Sequence, residues 1–381
     1  MALTKSKTDL EGYLARLLAI GGSDLHLKAG SPPCVRVDGV LRRLPDASPL
    51  SSEELDQLAA AAMSPPVGAR FATSSDIDFA YSSRNLARFR VNAFRQRGSV
   101  SLVLRAIPTE PRSVEELGLP PVIAAMGRRH RGLLLATGPT GSGKSSTLAA
   151  IVHQINEARE CHILTIEDPI EMLHKDRRAI VNQREIGEDA LNFPTALRAA
   201  MREDPDVILV GEMRDAETVE VALAAAETGH LVLSTLHTID AAETVNRIVG
   251  FFPPHQRDQI RLTLSGTLVG TICQRLVRRR GGGRVPAVEV MVANERVRKW
   301  IIDPEWADVQ EIIASSEFDG SQTFEASLIG LLRDGLVELE DAMSASSNAH
   351  SLRVRMRELG LLGTRQAAAP AQPASAPAPS A

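Results

Sequence analysis

The stretch GLLLATGPTGSGKS occupies residues 132–145 and places an apolar run directly before a glycine-rich loop. Within it, Gly138–Ser145 matches the phosphate-loop pattern G-x-x-x-x-G-K-[ST], in which glycines let backbone amides turn towards phosphate oxygens. Lys144 offers a cation to the β- and γ-phosphates, the Ser145 hydroxyl offers a ligand to Mg²⁺, and the start of the following helix adds positive potential. The stretch therefore predicts a nucleotide-binding α/β domain.

The sequence on both sides of this loop alternates short apolar runs with helical runs. Strands are predicted at Leu133–Thr137, His162–Glu167, Val207–Val210 and Leu231–Leu236, and helices at Lys144–Arg159, Pro194–Glu203, Ala216–Thr228, Ala241–Phe252 and His255–Val277. The strands are apolar nearly from end to end, as expected when helices cover both faces of a parallel sheet. The pattern indicates a parallel α/β sheet.

Residues 1–107 have a different, mixed pattern. Helices are predicted at Leu10–Ile20 and Ser51–Met63, and strands at 23–27, 34–37, 76–81, 87–95 and 99–106, with a turn at Asp38-Gly39. Prolines interrupt residues 108–122, which we interpret as a linker between domains. The tail at 366–381 contains only Ala, Pro, Gln and Ser, so it has nothing with which to build a core, and disorder is expected.

Two carboxylates and a histidine follow predicted strands. Glu212 ends the segment that begins at Asp206, and Glu171 lies in the acidic turn after Thr165–Glu167. His237 comes just after another apolar strand. Because the carboxyl ends of parallel strands meet at the ligand crevice, these side chains are expected beside the phosphate loop. Such an ATPase needs a carboxylate near Mg²⁺ and another to activate water.

Composition excludes several other classes of protein. The 381 residues carry a formal net charge of −4 with 3% aromatic residues, which disfavours nucleic acid as a partner. The 3 cysteines form no CxxC pair, so a disulfide framework or a zinc cluster is not expected. No apolar stretch has the length of a membrane helix, and no signal peptide is recognisable. A cytoplasmic protein without a transmembrane segment is the expectation.

Four motifs in order resemble those of the secretion and type IV pilus ATPase superfamily. The phosphate loop is followed by the segments 165–171, 204–215 (DPDVILVGEMRD) and 228–238 (TGHLVLSTLHT), which look like the Asp box, Walker B and His box. Segments 23–39 and 88–92 resemble the PilT/PilU twitching-motility branch. The resemblance implies a smaller PAS-like α+β domain at 1–107, a linker at 108–122, a RecA-like P-loop ATPase domain at 123–362 with C-terminal helices, and a tail at 363–381.

The same resemblance implies the site and the partners. Glu171 is expected to activate water, Glu212 to serve as the Walker B glutamate, His237 to come from the His box, and Arg90 and Arg105 to contact nucleotide. ATP would be bound by Gly138, Pro139, Thr140, Gly141, Ser142, Gly143, Lys144, Ser145 and Ser146, with Ser145 and Glu212 at Mg²⁺. The implied assembly is a homohexamer at the inner-membrane face of a pilus machine, acting on its platform protein.

The direction of the motor is predicted from two features that extension ATPases usually have. A further N-terminal domain and a zinc-binding cysteine tetrad are both missing from this sequence, which favours retraction. Residues 296–303 keep the apolar and basic outline of the A-I-R-x-L-I-R-E segment of retraction ATPases, but Ile302 replaces its second arginine. Two alternatives stay open: a PilU-like accessory ATPase that acts beside a paralogous retraction ATPase, and a ring subunit that binds nucleotide with little hydrolysis.

Overall fold

The computed structural model describes residues 7–37, 39–83, 86–107 and 111–361. The N-terminal elements are α1 (Lys7–Ala19), β1 (Asp24–Lys28), β2 (Cys34–Val37), β3 (Val40–Arg43), α2 (Ser52–Ala62), α3 (Pro65–Thr73), β4 (Asp76–Ser82), β5 (Arg88–Gln96) and β6 (Ser99–Ile107). Of these, β3 and α3 were not predicted from the sequence. The predicted turn at Asp38-Gly39 lies partly outside the described residues.

The N-terminal strands form an antiparallel sheet in the order β3-β2-β1-β6-β5-β4. Leucines of α1 and α2, including Leu10, Leu14 and Leu58, pack with the buried side chains of the strands into one core. Helix α2 begins where predicted, because the Ser51 and Glu54 side chains each bond the backbone N–H of the other in a capping box. The alternation along β5 leaves arginines on the opposite face of the sheet.

The second domain contains the remaining elements. They are α4 (Pro121–Gly127), β7 (Gly132–Thr137), α5 (Lys144–Ala158), β8 (His162–Glu167), β9 (Ile180–Glu185), α6 (Phe193–Ala200), β10 (Val207–Val210), α7 (Ala216–Glu227), β11 (Leu231–Leu236), α8 (Ala241–Gly250), α9 (Pro254–Thr267), β12 (Leu268–Arg278), β13 (Arg284–Val292), α10 (Glu295–Ile302), α11 (Val309–Ala314), α12 (Phe324–Arg333), α13 (Leu339–Ala345) and α14 (Ala349–Glu358), with a 3₁₀ turn at Glu317–Asp319.

These strands form a sheet in the order β13-β12-β7-β11-β10-β8-β9. All neighbours are parallel except β12 and β13, which form an antiparallel hairpin at one edge. Alternate strand residues enter two cores: Leu134 packs on the side of α4 and α5, whereas Leu133 and Leu135 pack on the side of α6 to α11. The sheet is therefore covered on both faces, and β7 delivers the phosphate loop from its interior.

The predicted helix at His255–Val277 is wrong in its second half. Helix α9 ends at Thr267, and residues 268–278 form β12, which pairs with both β7 and β13. The segment contains Val269, Thr271 and Ile272, whose branched side chains suit a pleated surface. Only pairing with strands distant in sequence distinguishes this strand from a continued helix.

Only some of the predicted domain boundaries fall within the residues that the structure describes. Residues 108–110 of the linker lie outside the described residues, as does the tail at 363–381. The end of the predicted linker, at 121–122, already belongs to α4. Across the part of the chain that the structure describes, no helix is both long enough and apolar enough to cross a bilayer.

Candidate active site

The phosphate loop runs from the end of β7 to the start of α5 and lies against β12. Gly138, Gly141 and Gly143 have φ values of 139°, 77° and 96°, which L side chains rarely adopt. A Cβ on Gly143 would stand 2.6 Å from Nε2 of Gln274, and a Cβ on Gly138 would overlap the Gln274 carbonyl oxygen. Gly138 and Gly143 therefore meet two needs at once, a positive φ and close contact with a buried strand, whereas Gly141 meets only the first.

Gln274, on β12, was not singled out by sequence analysis. Its side chain is buried, and Thr147 Oγ1 of α5 donates to its Oε1 at 2.7 Å. This bond connects β12 to the helix that begins with Lys144. The next residue, Arg275, points to the other side and donates to the Ala345 carbonyl at 2.5 Å and to Ser347 Oγ at 2.7 Å. Strand β12 thus joins the phosphate loop to the C-terminal helices.

Lys144 is folded back onto the loop that it follows. Its Nζ donates to the carbonyl oxygens of Gly138 at 2.8 Å and Pro139 at 3.1 Å, and the residue is 8% exposed. Burial lowers the pKa of Lys144, and the negative charges of Glu212 and Glu171 act in the opposite direction. The structure therefore brings both carboxylates within electrostatic range of the lysine.

Glu212 follows β10 and is held through both of its carboxylate oxygens. Oε1 lies 3.2 Å from Nε2 of His237, and Oε2 accepts bonds from Nε and a terminal nitrogen of Arg214 at 2.9 and 2.8 Å. Burial alone would raise the pKa of Glu212, but Arg214 and His237 outweigh it and leave the pKa below its ordinary value. Sequence analysis found Glu212 and His237 but missed Arg214.

Gly211, which directly precedes Glu212, packs closely against the end of β8. A Cβ there would stand 3.3 Å from the Ile166 carbonyl oxygen and 3.4 Å from Cα of Glu167, because β10 ends close to β8. The Gly211 carbonyl also accepts a bond from Thr235 Oγ1 at 2.7 Å. Glycine at this position lets the end of β10 pack closely against β8, and Glu212 is then the first carboxylate after β10.

Glu171 is exposed in the loop after β8, which contains a cis peptide bond between Asp168 and Pro169. Strand β9 holds the backbone on both sides of it. Glu185 Oε2 accepts the Ile170 N–H at 3.1 Å, and Gln183 donates to the Met172 carbonyl at 2.9 Å. Sequence analysis did not identify β9 or its polar side chains, and the loop position of Glu171 depends on them.

Arg90 and Arg105 lie opposite each other on β5 and β6 and remain in the N-terminal domain. Their ion-pair partners among the described residues are Asp78 at 4.0 Å and Asp24 at 2.7 Å, and their side chains are 43% and 67% exposed. The chain thus does not bring these two arginines to Lys144.

The residues of the phosphate loop fit a nucleoside triphosphate with Mg²⁺. The Ser142 hydroxyl is buried and, among the described residues, has no hydrogen-bond partner, which suits a group that a phosphate oxygen would engage. Ser145 and Ser146 are exposed in the first turn of α5. A serine hydroxyl and the Glu212 carboxylate supply the oxygen ligands that Mg²⁺ prefers.

Comparison with known proteins gives one consistent family. The family described as type II/IV secretion system protein matches residues 8–326. The type IV pilus retraction ATPase PilT of Pseudomonas aeruginosa is 45% identical over 334 residues, 88% of this chain and 97% of that protein. PilU of the same organism is 38% identical over 351 residues, 92% and 91% of the two chains. A crystal structure of the pilus retraction motor PilT with bound ADP superposes with a TM-score of 0.85 at 45% identity, covering 93% of this chain and 100% of that one.

Proposed function

The chain belongs to the type II/IV secretion system protein family, and on that premise we propose that it is an ATP-hydrolysing motor that powers type IV pilus retraction. The observation that carries the proposal is that β7 leads into the phosphate loop with its Lys144, while Glu212 and His237 meet 3.2 Å apart after β10 and β11 of the same parallel sheet. The negative charges of Glu212 and Glu171 both act on Lys144. A P-loop ATPase needs the charges of Lys144, Glu171 and Glu212 together. They come from three separate segments: the start of α5, the loop after β8 and the loop after β10.

Hydrolysis follows from the groups around the loop. With nucleotide bound, the Lys144 ammonium would exchange the carbonyls of Gly138 and Pro139 for β- and γ-phosphate oxygens. Ser145 and Glu212 would hold Mg²⁺, which would supply positive charge to neutralise the phosphates. Glu171 accepts a proton from a water molecule while the oxygen of that water bonds to the γ-phosphorus. The bond between the γ-phosphorus and the β,γ-bridging oxygen breaks, and ADP leaves with that electron pair. His237 and Arg214 keep the Glu212 carboxylate in one orientation.

The assembly is proposed to be a homohexamer at the cytoplasmic face of the inner membrane. Arg90 and Arg105 lie on the exposed face of the N-terminal sheet and pair only with carboxylates of their own domain among the described residues. Domain movement or a neighbouring subunit must therefore bring them to a nucleotide. Cycles of that movement would turn the platform protein of the pilus machine. Purified protein should show a turnover per chain that rises with concentration.

Two alternatives remain to be separated from the main motor. A ring subunit with little hydrolysis is disfavoured because Glu171, Glu212 and His237 are all present. A PilU-like accessory role rests on Ile302, which is 51% exposed at the end of α10, whereas Trp300 and Ile301 of that helix are buried. The proposal of a main motor is favoured by the higher identity to the PilT relative.

The deciding experiment is a gene deletion scored for pilus length and surface movement, complemented with the wild type and with Glu212→Gln. Hyperextended, immobile pili that only the wild type corrects are the expected result. Bald cells would indicate an extension motor, and full motility of the deletion strain would indicate an accessory subunit. In vitro, tight ATP binding without phosphate release would favour the non-hydrolysing ring, and DNA-stimulated turnover that falls steeply with salt would point to a nucleic-acid motor.

A further inference from the structure

One buried carboxylate contacts both the loop of Glu171 and the N-terminal domain. Glu185, at the end of β9, accepts the Ile170 N–H at 3.1 Å through Oε2, and Ile170 immediately precedes Glu171. The same oxygen accepts a bond from a terminal nitrogen of Arg88 on β5 at 2.6 Å. A single atom therefore lies between a strand of one domain and the catalytic loop of the other.

The electrostatics make this contact a strong one. The Glu185 side chain is 3% exposed and that of Arg88 is 18% exposed, so the pair is largely removed from water. A buried carboxylate without a cation is costly, and removing one partner of such a pair leaves the other charge uncompensated. Glu185 can therefore stay buried on the Ile170 amide only while Arg88 is docked against it.

We propose that Glu185 is a positioning residue that makes the placement of Glu171 depend on docking of the N-terminal domain through Arg88. The inference rests on the proposed function, in which Glu171 activates water. When Arg88 is docked, the Ile170 amide is held and Glu171 faces the nucleotide. When the N-terminal domain moves away, Glu185 loses its cation, the Ile170 bond weakens, and hydrolysis slows although ATP remains bound.

A second contact between the domains provides a matched control. Arg70 of α3 lies 3.4 Å from Glu188, and their side chains are 50% and 36% exposed. Glu188 lies in the turn after Glu185, but among the described contacts it has no bond to residues 168–171. Removing Arg70 therefore deletes an arginine–glutamate pair between the same two domains without touching the loop of Glu171.

The test compares full-length Arg88→Ala, Arg88→Lys and Arg70→Ala by steady-state ATPase assay, by affinity for a fluorescent ATP analogue, and by hydrogen exchange of the 163–174 peptide. For Arg88→Ala we expect kcat to fall at least about tenfold with analogue affinity within about twofold, because misplacement of a catalytic group costs rate rather than binding. Exchange in the 163–174 peptide should rise. Arg88→Lys should recover part of both changes, and Arg70→Ala should cause neither.

Glu185→Gln covers the case in which Arg88→Ala folds poorly. The amide oxygen can still accept the Ile170 N–H, but the charge that attracts Arg88 is gone. In the Glu185→Gln background, Arg88→Ala should lower kcat by less than about twofold further, since coupled residues are not additive. Wild-type kcat or wild-type exchange in Arg88→Ala, equal loss in Arg70→Ala, or full additivity with Glu185→Gln would overturn the inference.

Glu171→Gln separates this inference from the proposed function. If Glu171→Gln keeps wild-type turnover, the catalytic assignment fails whatever Arg88 does. If Glu171→Gln loses turnover while Arg88→Ala keeps it, the catalytic assignment stands and the domain dependence fails.

Discussion

Nε2 of His237 lies 3.2 Å from Oε1 of Glu212, so residues that follow two neighbouring parallel strands meet at the carboxyl edge of the sheet. Arg214 holds the other oxygen of the same carboxylate. The Glu212 carboxylate is thus held from both sides.

Replacing His237 by alanine should lower kcat by about a hundredfold, the usual cost of losing one preorganised electrostatic partner at a phosphoryl-transfer site. His230→Ala is the matched control. His230 precedes β11 at the opposite edge of the sheet, where its Nδ1 lies 2.9 Å from the Ala225 carbonyl. Phosphate release should be measured for both, and a loss of less than about twofold in His237→Ala would remove His237 from the site.

Gly143→Ala should abolish nucleotide binding and destabilise the fold by about 1–3 kcal/mol, because a side chain there is both strained and blocked by Gln274. Gly266→Ala is the control, since no atom lies within 4 Å of its added Cβ inside α9. Alanine at that helical position should raise stability by about 0.5–1 kcal/mol. Thermal unfolding and titration with an ATP analogue test both expectations, and wild-type affinity in Gly143→Ala would contradict the packing account.

Arg90→Ala should reduce turnover at least about a hundredfold if the arginine reaches the transferring phosphate in the assembled ring. Its exposed pair with Asp78 contributes at most about 1 kcal/mol, so the folded state should persist. Arg42→Ala, on the exposed strand β3, is the control for deleting an arginine of the same domain. ATPase rates are to be compared at equal ring concentration, and unchanged turnover would exclude Arg90 from catalysis.

The buried Glu289 should make stability depend on pH. Burial raises the pKa of Glu289 to about 7, although the hydrogen bonds donated by the Ala241 N–H and the Gln310 amide lower it in part. The folded protein binds the proton of the Glu289 carboxyl group more tightly than the unfolded chain does. The contribution of this group to the free energy of unfolding is therefore complete below about pH 4.5 and is lost as the pH rises through about 7. The unfolding free energy should fall by up to about 3 kcal/mol over that range.

Glu289→Gln should flatten this part of the pH profile in urea unfolding series collected between pH 4.5 and 8. The exposed Glu340→Gln provides the control for removing one negative charge. A slope that survives in Glu289→Gln would assign the dependence to other groups.

The parts of the fold that sequence could predict are those decided locally. Strands β8, β10 and β11 have the predicted bounds and β7 begins one residue before its predicted start, because each is a short run rich in apolar and β-branched residues. Helix α2 begins at its capping box for a similar local reason. Strand β12 was not predicted because the residues of β12 alone do not indicate that it pairs with β7 and β13. Strand β9 is too polar to register as a buried strand.

The site shows the same division. The phosphate loop, Glu171, Glu212 and His237 each belong to a motif whose residues are consecutive, so the sequence could single them out as candidates. Gln274 lies 127 positions from the Thr147 that it contacts, and Arg88 lies 97 positions from Glu185. Such partners are chosen by tertiary packing, and no local pattern distinguishes them from other polar residues.

The neighbouring residues Gln274 and Arg275 make β12 a mechanical linkage. The Gln274 side chain packs against the phosphate loop and accepts a hydrogen bond from Thr147, and the Arg275 side chain donates to the Ala345 carbonyl at the end of α13. Tension applied to the C-terminal helices reaches the nucleotide cradle across one peptide unit of a strand that is hydrogen-bonded on both sides. A displacement of the C-terminal helices would therefore act on the phosphate loop through the backbone of β12 itself.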